Sequence, residues 1–185
     1  MPVTIVVPAY NEEVTIEASI RSLLALDYKL YEIVVVDDGS SDDTSKVVRD
    51  AFHMQQISRS IQRKIPCQPE EVIYESYEWK VPITLIRKKN GGKADALNMG
   101  INAAKYPYFI CMDADSVLQY DSLEKIVRPV LEDVSVVAVG GVVRPCNGTE
   151  IHDGHVVSYR MLDQIIPCMQ GDMIPAPSVK IWNWW

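Results

Sequence analysis

The stretch YFICMDADS, residues 108–116, closes an apolar run with two carboxylates one residue apart. If 108–112 is a buried strand, Asp113 and Asp115 lie just past its C-terminal end, where open parallel sheets bind their ligands. Both side chains can then turn toward one cation, and ligation by oxygen alone suits magnesium or manganese. An Asp-x-Asp is also a common loop fragment that caps a following helix. The pair by itself leaves both readings open, so the sequence around it has to decide.

Working outward, residues 3–7 are a short β-branched run ended by Pro8, the mark of a buried strand and a turn. Ile16, Ile20, Leu23 and Leu24 follow at helical spacing, with Glu12 and Glu13 placed where a helix start favours carboxylates. Residues 32–36 give a second strand, and the loop after it carries Asp37, Asp38, Ser40, Ser41, Asp42 and Asp43. Ser41 or Asp42 can cap a helix with inner face Val47, Val48, Ala51 and Phe52. One cap is enough, so the surplus points to a ligand, although acidic, serine-rich turns between strand and helix are common.

From 53 to 80 periodicity fades, and the composition reads as an excursion from the sheet with no assignable structure. Residues 82–86 resume as strand three, followed by Arg87, Lys88, Lys89, Asn90, Gly91, Gly92 and Lys93, the one strong basic cluster. Two glycines and a lysine opening a helix with Ala94, Leu97, Ile101 and Ala104 inward would offer backbone N–H groups, a positive helix end and an ammonium, a cradle for diphosphate. A solvated basic turn with a glycine hinge is the plainer reading. Ala94 stands where a P-loop needs Ser or Thr, so this is not one. Leu123, Ile126, Val127, Val130 and Leu131 mark a further helix, and 135–143 a fifth strand. The alternation implies an α/β fold, a mainly parallel sheet with helices on both faces.

The formal charge of −7 argues against nucleic-acid binding, which needs a basic face. The 48% hydrophobic content over 185 residues is enough for a real core. Cys67, Cys111, Cys146 and Cys168 lack any Cys-x-x-Cys, which fits a reducing, cytosolic setting. No basic leader precedes the first strand, and no apolar run approaches the roughly 18 residues of a membrane helix. The expected division is a domain over 1–145 and an incomplete acceptor-side or interface segment over 146–185. In that segment a hairpin is expected across His152 and His155, which with Cys146 match no familiar metal-ligand spacing. Trp182, Trp184 and Trp185 suggest that a partner, a membrane surface or further sequence continues the fold.

Four motifs stand in one order after successive strands: VPAYNEE (7–13), VDDGSSDDT (36–44), NGGKADALN (90–98) and DADS (113–116). Together they make the chain resemble, over roughly residues 1–155, the family 2 glycosyltransferases of GT-A fold. Within them it is most similar to the processive synthases of hyaluronan, chitin oligosaccharide and poly-N-acetylglucosamine. The resemblance implies a UDP-sugar donor, UDP-N-acetylglucosamine above others, a glycan acceptor, and Mg2+ or Mn2+. It implies that Pro8, Ala9, Tyr10 and Glu12 bind nucleotide, with Tyr10 against the uracil ring and Asp38 accepting from its imide. Gly92 and Lys93 would contact the nucleotide near its phosphates, Asp113 would sit by the ribose and donor sugar, and Asp115 would hold the metal. Asp113 and Asp115 are then the catalytic pair of an inverting displacement.

The departures are as informative. The family's general base stands in a downstream Glu-Asp motif, followed by Gln-x-x-Arg-Trp, and neither occurs here. Glu150, Asp153, Asp163 and Asp172 are the late acidic residues, none in a matching context. The family's membrane helices are missing too. The expectation is the donor-binding part of a transferase for polysaccharide synthesis, cytoplasmic and at the inner face of the plasma membrane if it works with a membrane-embedded partner. A module that binds a UDP-sugar without turnover would keep the same residues. A phospho-receiver domain would need its acidic pair after strand one, where Tyr10 and Asn11 stand.

Overall fold

Apolar runs too short for helices and too continuous for a one-sided sheet must be strands buried on both faces. The computed structural model describes residues 1–141 and the backbone of the strands Thr149–His152, His155–Tyr159 and Lys180–Asn183. β1 (Val3–Ala9) and β2 (Tyr31–Asp37) are buried along their whole length. They pair in parallel, and β5 (Ile83–Lys88) and β6 (Tyr108–Cys111) extend the parallel centre on either side. The order β5-β2-β1-β6 sets four strand ends, and the loops after them, along one edge of the sheet. This is the mainly parallel, helix-covered core expected from the sequence.

Alternate residues of each strand face opposite ways. Val3, Ile5, Val7, Ile33 and Val35 share a core with α1 (Ile16–Leu24), α2 (Thr44–Ala51) and α4 (Ser122–Glu132). Val34, Val36 and Ile86 point to the other face and pack on α3 (Lys93–Ala103). The inward face of α3 is Ala96, Met99, Gly100 and Ala103, not the larger residues Leu97 and Ile101. Close approach to β1 is the reason: a Cβ on Gly100 would come within 2.2 Å of Val6 Cγ1. Only small side chains let this helix sit so near the sheet.

The excursion expected over 53–80 contains two strands of the sheet. β3 (Gln55–Ile57) and β4 (Glu70–Ser76) form an antiparallel ribbon that pairs with β5. The segment between them leaves the sheet and is strapped along α3. Asn102 bonds Ile65 through both its N–H (3.0 Å) and C=O (2.8 Å), Asn98 donates to the Pro66 carbonyl (3.1 Å), and Asp95 accepts from the Gln68 N–H (3.0 Å).

The fifth strand is shorter than expected. β7 is Ala138–Gly140, and Val134 and Val137 are exposed. The Asp133 carboxylate takes the Ser135 N–H (2.8 Å) and hydroxyl (2.7 Å), a local turn that competes with strand pairing. β7 does not meet β6 directly, because β10 (Lys180–Asn183) runs antiparallel between them. The segment containing Trp182 is therefore an inner strand of this chain's own sheet, while Trp184 and Trp185 lie outside the described residues. β8 (Thr149–His152) and β9 (His155–Tyr159) make the expected hairpin, with His152 opposite His155. Cys146, Asp153, Asp163 and Asp172 lie outside the described residues. Among these residues no helix is long and apolar enough to cross a membrane.

Candidate active site

The loops after β1 and β2 are laced together. The Asn11 N–H donates to Ser40 Oγ (3.0 Å), the Glu12 N–H to Thr44 Oγ1 (2.8 Å), and the Ser41 N–H to Asn11 Oδ1 (2.9 Å). The Asp43 N–H donates to Glu13 Oε2 (2.9 Å). Asn11 adopts a left-handed conformation, φ 56°, which an Asx side chain tolerates. These bonds correct the reading of the polar surplus in the second loop, since much of it serves the first loop. The helix cap position is Asp43 rather than Ser41 or Asp42, and it makes no side-chain cap bond. The result is a fixed β1 exit on which Tyr10 stands half exposed with its ring available.

The loop after β5 is organised by Asp38. Its carboxylate, almost wholly buried, accepts from the Gly92 N–H (2.7 Å), the Gly91 N–H (3.1 Å) and the Lys88 ammonium. Its carbonyl accepts from the Asn90 amide (2.9 Å). Gly92 holds φ 87°, which a side chain would strain. The expected cradle is corrected in one respect: the Gly91 and Gly92 amides face Asp38. An incoming anion is left with the helix end and Lys93. Lys88 departs furthest from expectation, being fully buried rather than part of a basic turn. Its position could have been read from the strand: two residues after Ile86, it faces α3 as Ile86 does.

Beyond β6, Asp113 and Asp115 flank the buried Ala114. The Ser116 N–H closes a turn on the Asp113 carbonyl (3.1 Å). Lys93 Nζ lies 2.5 Å from Asp113 Oδ1, bridging from the start of α3 to the end of β6. Asp115 is exposed and, among the described residues, meets the Ser116 hydroxyl alone, at 3.5 Å. Burial pushes the neighbouring Cys111 thiol up to about 11, with the Asp113 charge adding to the effect and Lys93 opposing it. Cys111 is therefore protonated at neutral pH and is no nucleophile.

A cavity of about 530 Å³ brings these loops together. Pro8, Ala9, Tyr10 and Glu12 line it from β1, Asp38 from β2, Gly92 and Lys93 from α3, and Asp113 and Asp115 from β6. Gly91 of the expected cradle and the polar residues of the second loop other than Asp38 do not line it, whereas each residue to which the family resemblance assigned nucleotide or metal is on this wall. Asn90, Ala96 and Ala114 join them without having been foreseen, the last two because an alanine gives no chemical signal.

A half-buried and an exposed carboxylate, with oxygen donors only, fit a hard cation that keeps ligands from water or phosphate. Among the described residues no group of three His, Cys, Asp or Glu side chains could hold a metal alone. Any ion here would complete its shell from water or the bound ligand.

The description "Glycosyl transferase family 2" matches residues 4–65 and 69–175. The chain is 32% identical over 149 residues to a poly-β-1,6-N-acetyl-D-glucosamine synthase of Staphylococcus aureus, covering 80% of this chain but 30% of that protein. It thus spans under a third of that relative's length. Among solved structures it is similar to a mannosyltransferase of Pyrobaculum calidifontis in complex with GDP-mannose and Mn2+, at 30% identity and TM-score 0.59, over 77% of this chain and 35% of that one. It shares its fold with Staphylococcus aureus TarS in complex with UDP-GlcNAc, at 23% identity and TM-score 0.52, over 71% of this chain and 32% of that one. Motifs, sheet order and sequence likeness agree: the chain belongs to glycosyl transferase family 2 and carries the GT-A fold of its glycosyltransferases.

Proposed function

We propose that this chain is the donor-binding part of an inverting glycosyltransferase that takes a UDP-sugar, UDP-N-acetylglucosamine first among candidates, for polysaccharide synthesis. The observation that carries the reading is the convergence of Tyr10, Asp38, Lys93, Asp113 and Asp115 from four strand ends onto one cavity. The name of the Staphylococcus relative supports an N-acetylglucosamine polymer as product. In this reading Tyr10 stacks on the base, since an exposed aromatic face suits any flat ring. Asp38 meets three protein donors, with the Gly91 N–H shared between its two oxygens, and its carboxylate lines the cavity, where a base N–H can compete for the shared position.

Lys93 leaves Asp113 to meet phosphate oxygens, and Asp113 turns to the ribose and donor sugar. Asp115 would hold Mg2+ or Mn2+, which when bound neutralises charge on the departing diphosphate. The Mn2+ in the Pyrobaculum complex supports that assignment. The reading places the chain in the cytoplasm, at the inner face of the plasma membrane beside a membrane-embedded portion that receives the glycan.

A second reading has an observation of its own. The Pyrobaculum relative binds GDP-mannose, and a guanine ring N–H could use the same Asp38 acceptor. Calorimetric titration with UDP and GDP, each with manganese and with EDTA, decides. Manganese-dependent binding of UDP with weaker GDP is the expected result. Tighter GDP binding would move the assignment to a guanosine donor, and no binding of either would remove it.

A further inference from the structure

Lys88 is fully buried at the end of β5, and its three ammonium protons are all taken: by Asp38, by Asp95 Oδ1 (2.6 Å) and by the Lys89 carbonyl (2.8 Å). Burial by itself would depress its pKa, yet the hydrogen bonds and charges of Asp38 and Asp95 raise it above the ordinary lysine value. It is therefore a permanent cation. Asp95 belongs to the first turn of α3 and also accepts from the Gln68 N–H, so it anchors the strap over 65–68. The glycine loop rests on the same carboxylate: a Cβ on Gly91 would lie 2.5 Å from Asp95 Oδ1. One ammonium thus ties the β2 exit, the glycine loop and the α3 start together, and none of its protons is left for the cavity.

We propose that Lys88 is the positioning residue for base selectivity. It holds the Asp38 carboxylate in a fixed place on the cavity wall, so that a base with a ring N–H is accepted and one with a ring nitrogen lone pair is rejected. The proposal rests on the reading of Asp38 as base acceptor. Uracil carries a ring N–H where cytosine, the same size, carries a lone pair; the carboxylate therefore attracts the first and repels the second. Without Lys88 the Asp38 carboxylate would remain almost wholly buried. The Gly91 and Gly92 N–H groups would still meet it, but the cation that pins Oδ1 and bridges it to the Asp95 carboxylate would be gone. Repelled by Asp95, Asp38 turns from its fixed position, and a carboxylate out of place no longer distinguishes the two pyrimidines.

The test measures UDP and CDP affinity of the 185-residue chain with manganese for wild type, Lys88→Met and Lys88→Gln. Met keeps the stem volume, and Gln still offers Asp38 an amide N–H should the Met variant fail to fold. Wild type is expected to prefer UDP by about tenfold. In each folded variant the preference falls toward parity. A purely structural lysine would weaken both nucleotides alike and leave their ratio unchanged, and that result overturns the proposal. A wild type that binds UDP and CDP equally overturns instead the base-recognition reading of Asp38, and the role of Lys88 with it.

Discussion

Lys93 Nζ and Asp113 Oδ1 stand 2.5 Å apart across the mouth of the cavity, joining the start of α3 to the end of β6. Lys93 is mostly exposed, so the pair is screened by solvent and adds little to stability. Its significance is that each partner is also assigned to the donor. In the proposed reading an entering diphosphate would exchange one ion pair for another, with the ammonium moving from carboxylate to phosphate.

Lys93→Met is therefore expected to weaken UDP binding by about tenfold, as loss of a charge-assisted bond does, while the thermal midpoint moves by no more than about 2 °C. Titration calorimetry and a thermal melt check the two halves. A large drop in midpoint would show the bridge to be structural, and unchanged affinity would remove Lys93 from the site.

Asp115 makes one contact at hydrogen-bond limit, so its carboxylate has no structural task among the described residues. Asp115→Asn should weaken UDP binding in manganese and change it little in EDTA. Wild-type affinity that is the same in manganese and EDTA would sink the metal role outright.

The packing of α3 on β1 gives a prediction independent of function. Gly100→Ala puts a methyl 2.2 Å from Val6 Cγ1, and overpacking of this kind costs about 1–3 kcal/mol. Urea denaturation should show the loss. Combining it with Val6→Ala should restore part of it, because the two sites touch and couple. Additive losses in the double variant would mean that the helix simply shifts.

Glu75 governs acid stability on the α3 face. Burial alone would raise its pKa, but the Tyr77 hydroxyl and the Lys105 and Arg59 charges outweigh it, and the folded-state value lies below the ordinary 4.5. Arg59 is 2.8 Å away and Lys105 3.5 Å. A depressed carboxylate contributes stability that is complete above the unfolded-state pKa and is lost as pH falls through the folded one. Urea midpoints should thus fall below about pH 4.5 in wild type, and Glu75→Gln should flatten that decline while lowering the plateau at neutral pH. An identical slope in both proteins would place the acid sensitivity elsewhere, with Asp95 next in line because its pKa is lowered as well.

The parallel centre was legible because β1 and β2 are buried on both sides, and such strands write themselves as unbroken apolar runs. β4 was not, because Glu75 and Ser76 are buried in it and its apolar alternation fails where Glu75 meets Arg59 and Lys105. The face of α3 was misread for a related reason. Its packing is set by Gly100 against Val6 and by the polar stripe Asp95, Asn98 and Asn102 under the strap, neither of which a hydrophobic period detects. The cavity wall was recovered from the four motifs, since each follows a strand whose end the fold must place on the same edge. Lys88 was lost among its basic neighbours: charge suggests solvent, and only its register with Ile86 says otherwise.

Transfer itself needs one group more than binding does. A positioned base typically contributes about 10²–10⁴-fold by taking the acceptor proton. Among the described residues the cavity carboxylates are Asp38, Asp113, Asp115 and Glu12. The first three are assigned to the donor, and Glu12 Oε2 is held by the Thr15 hydroxyl at 2.6 Å. This chain is therefore expected to bind UDP-N-acetylglucosamine and to release UDP only slowly, without extending a glycan. Incubation with manganese and a chitin oligosaccharide primer, read by mass spectrometry, is the direct measurement. Extended primer that disappears with Glu12→Gln would make Glu12 the base despite its bond to Thr15. Extended primer that disappears with Asp153→Asn or Asp163→Asn would show that the sequence after β7 completes the site and that the chain is a working transferase.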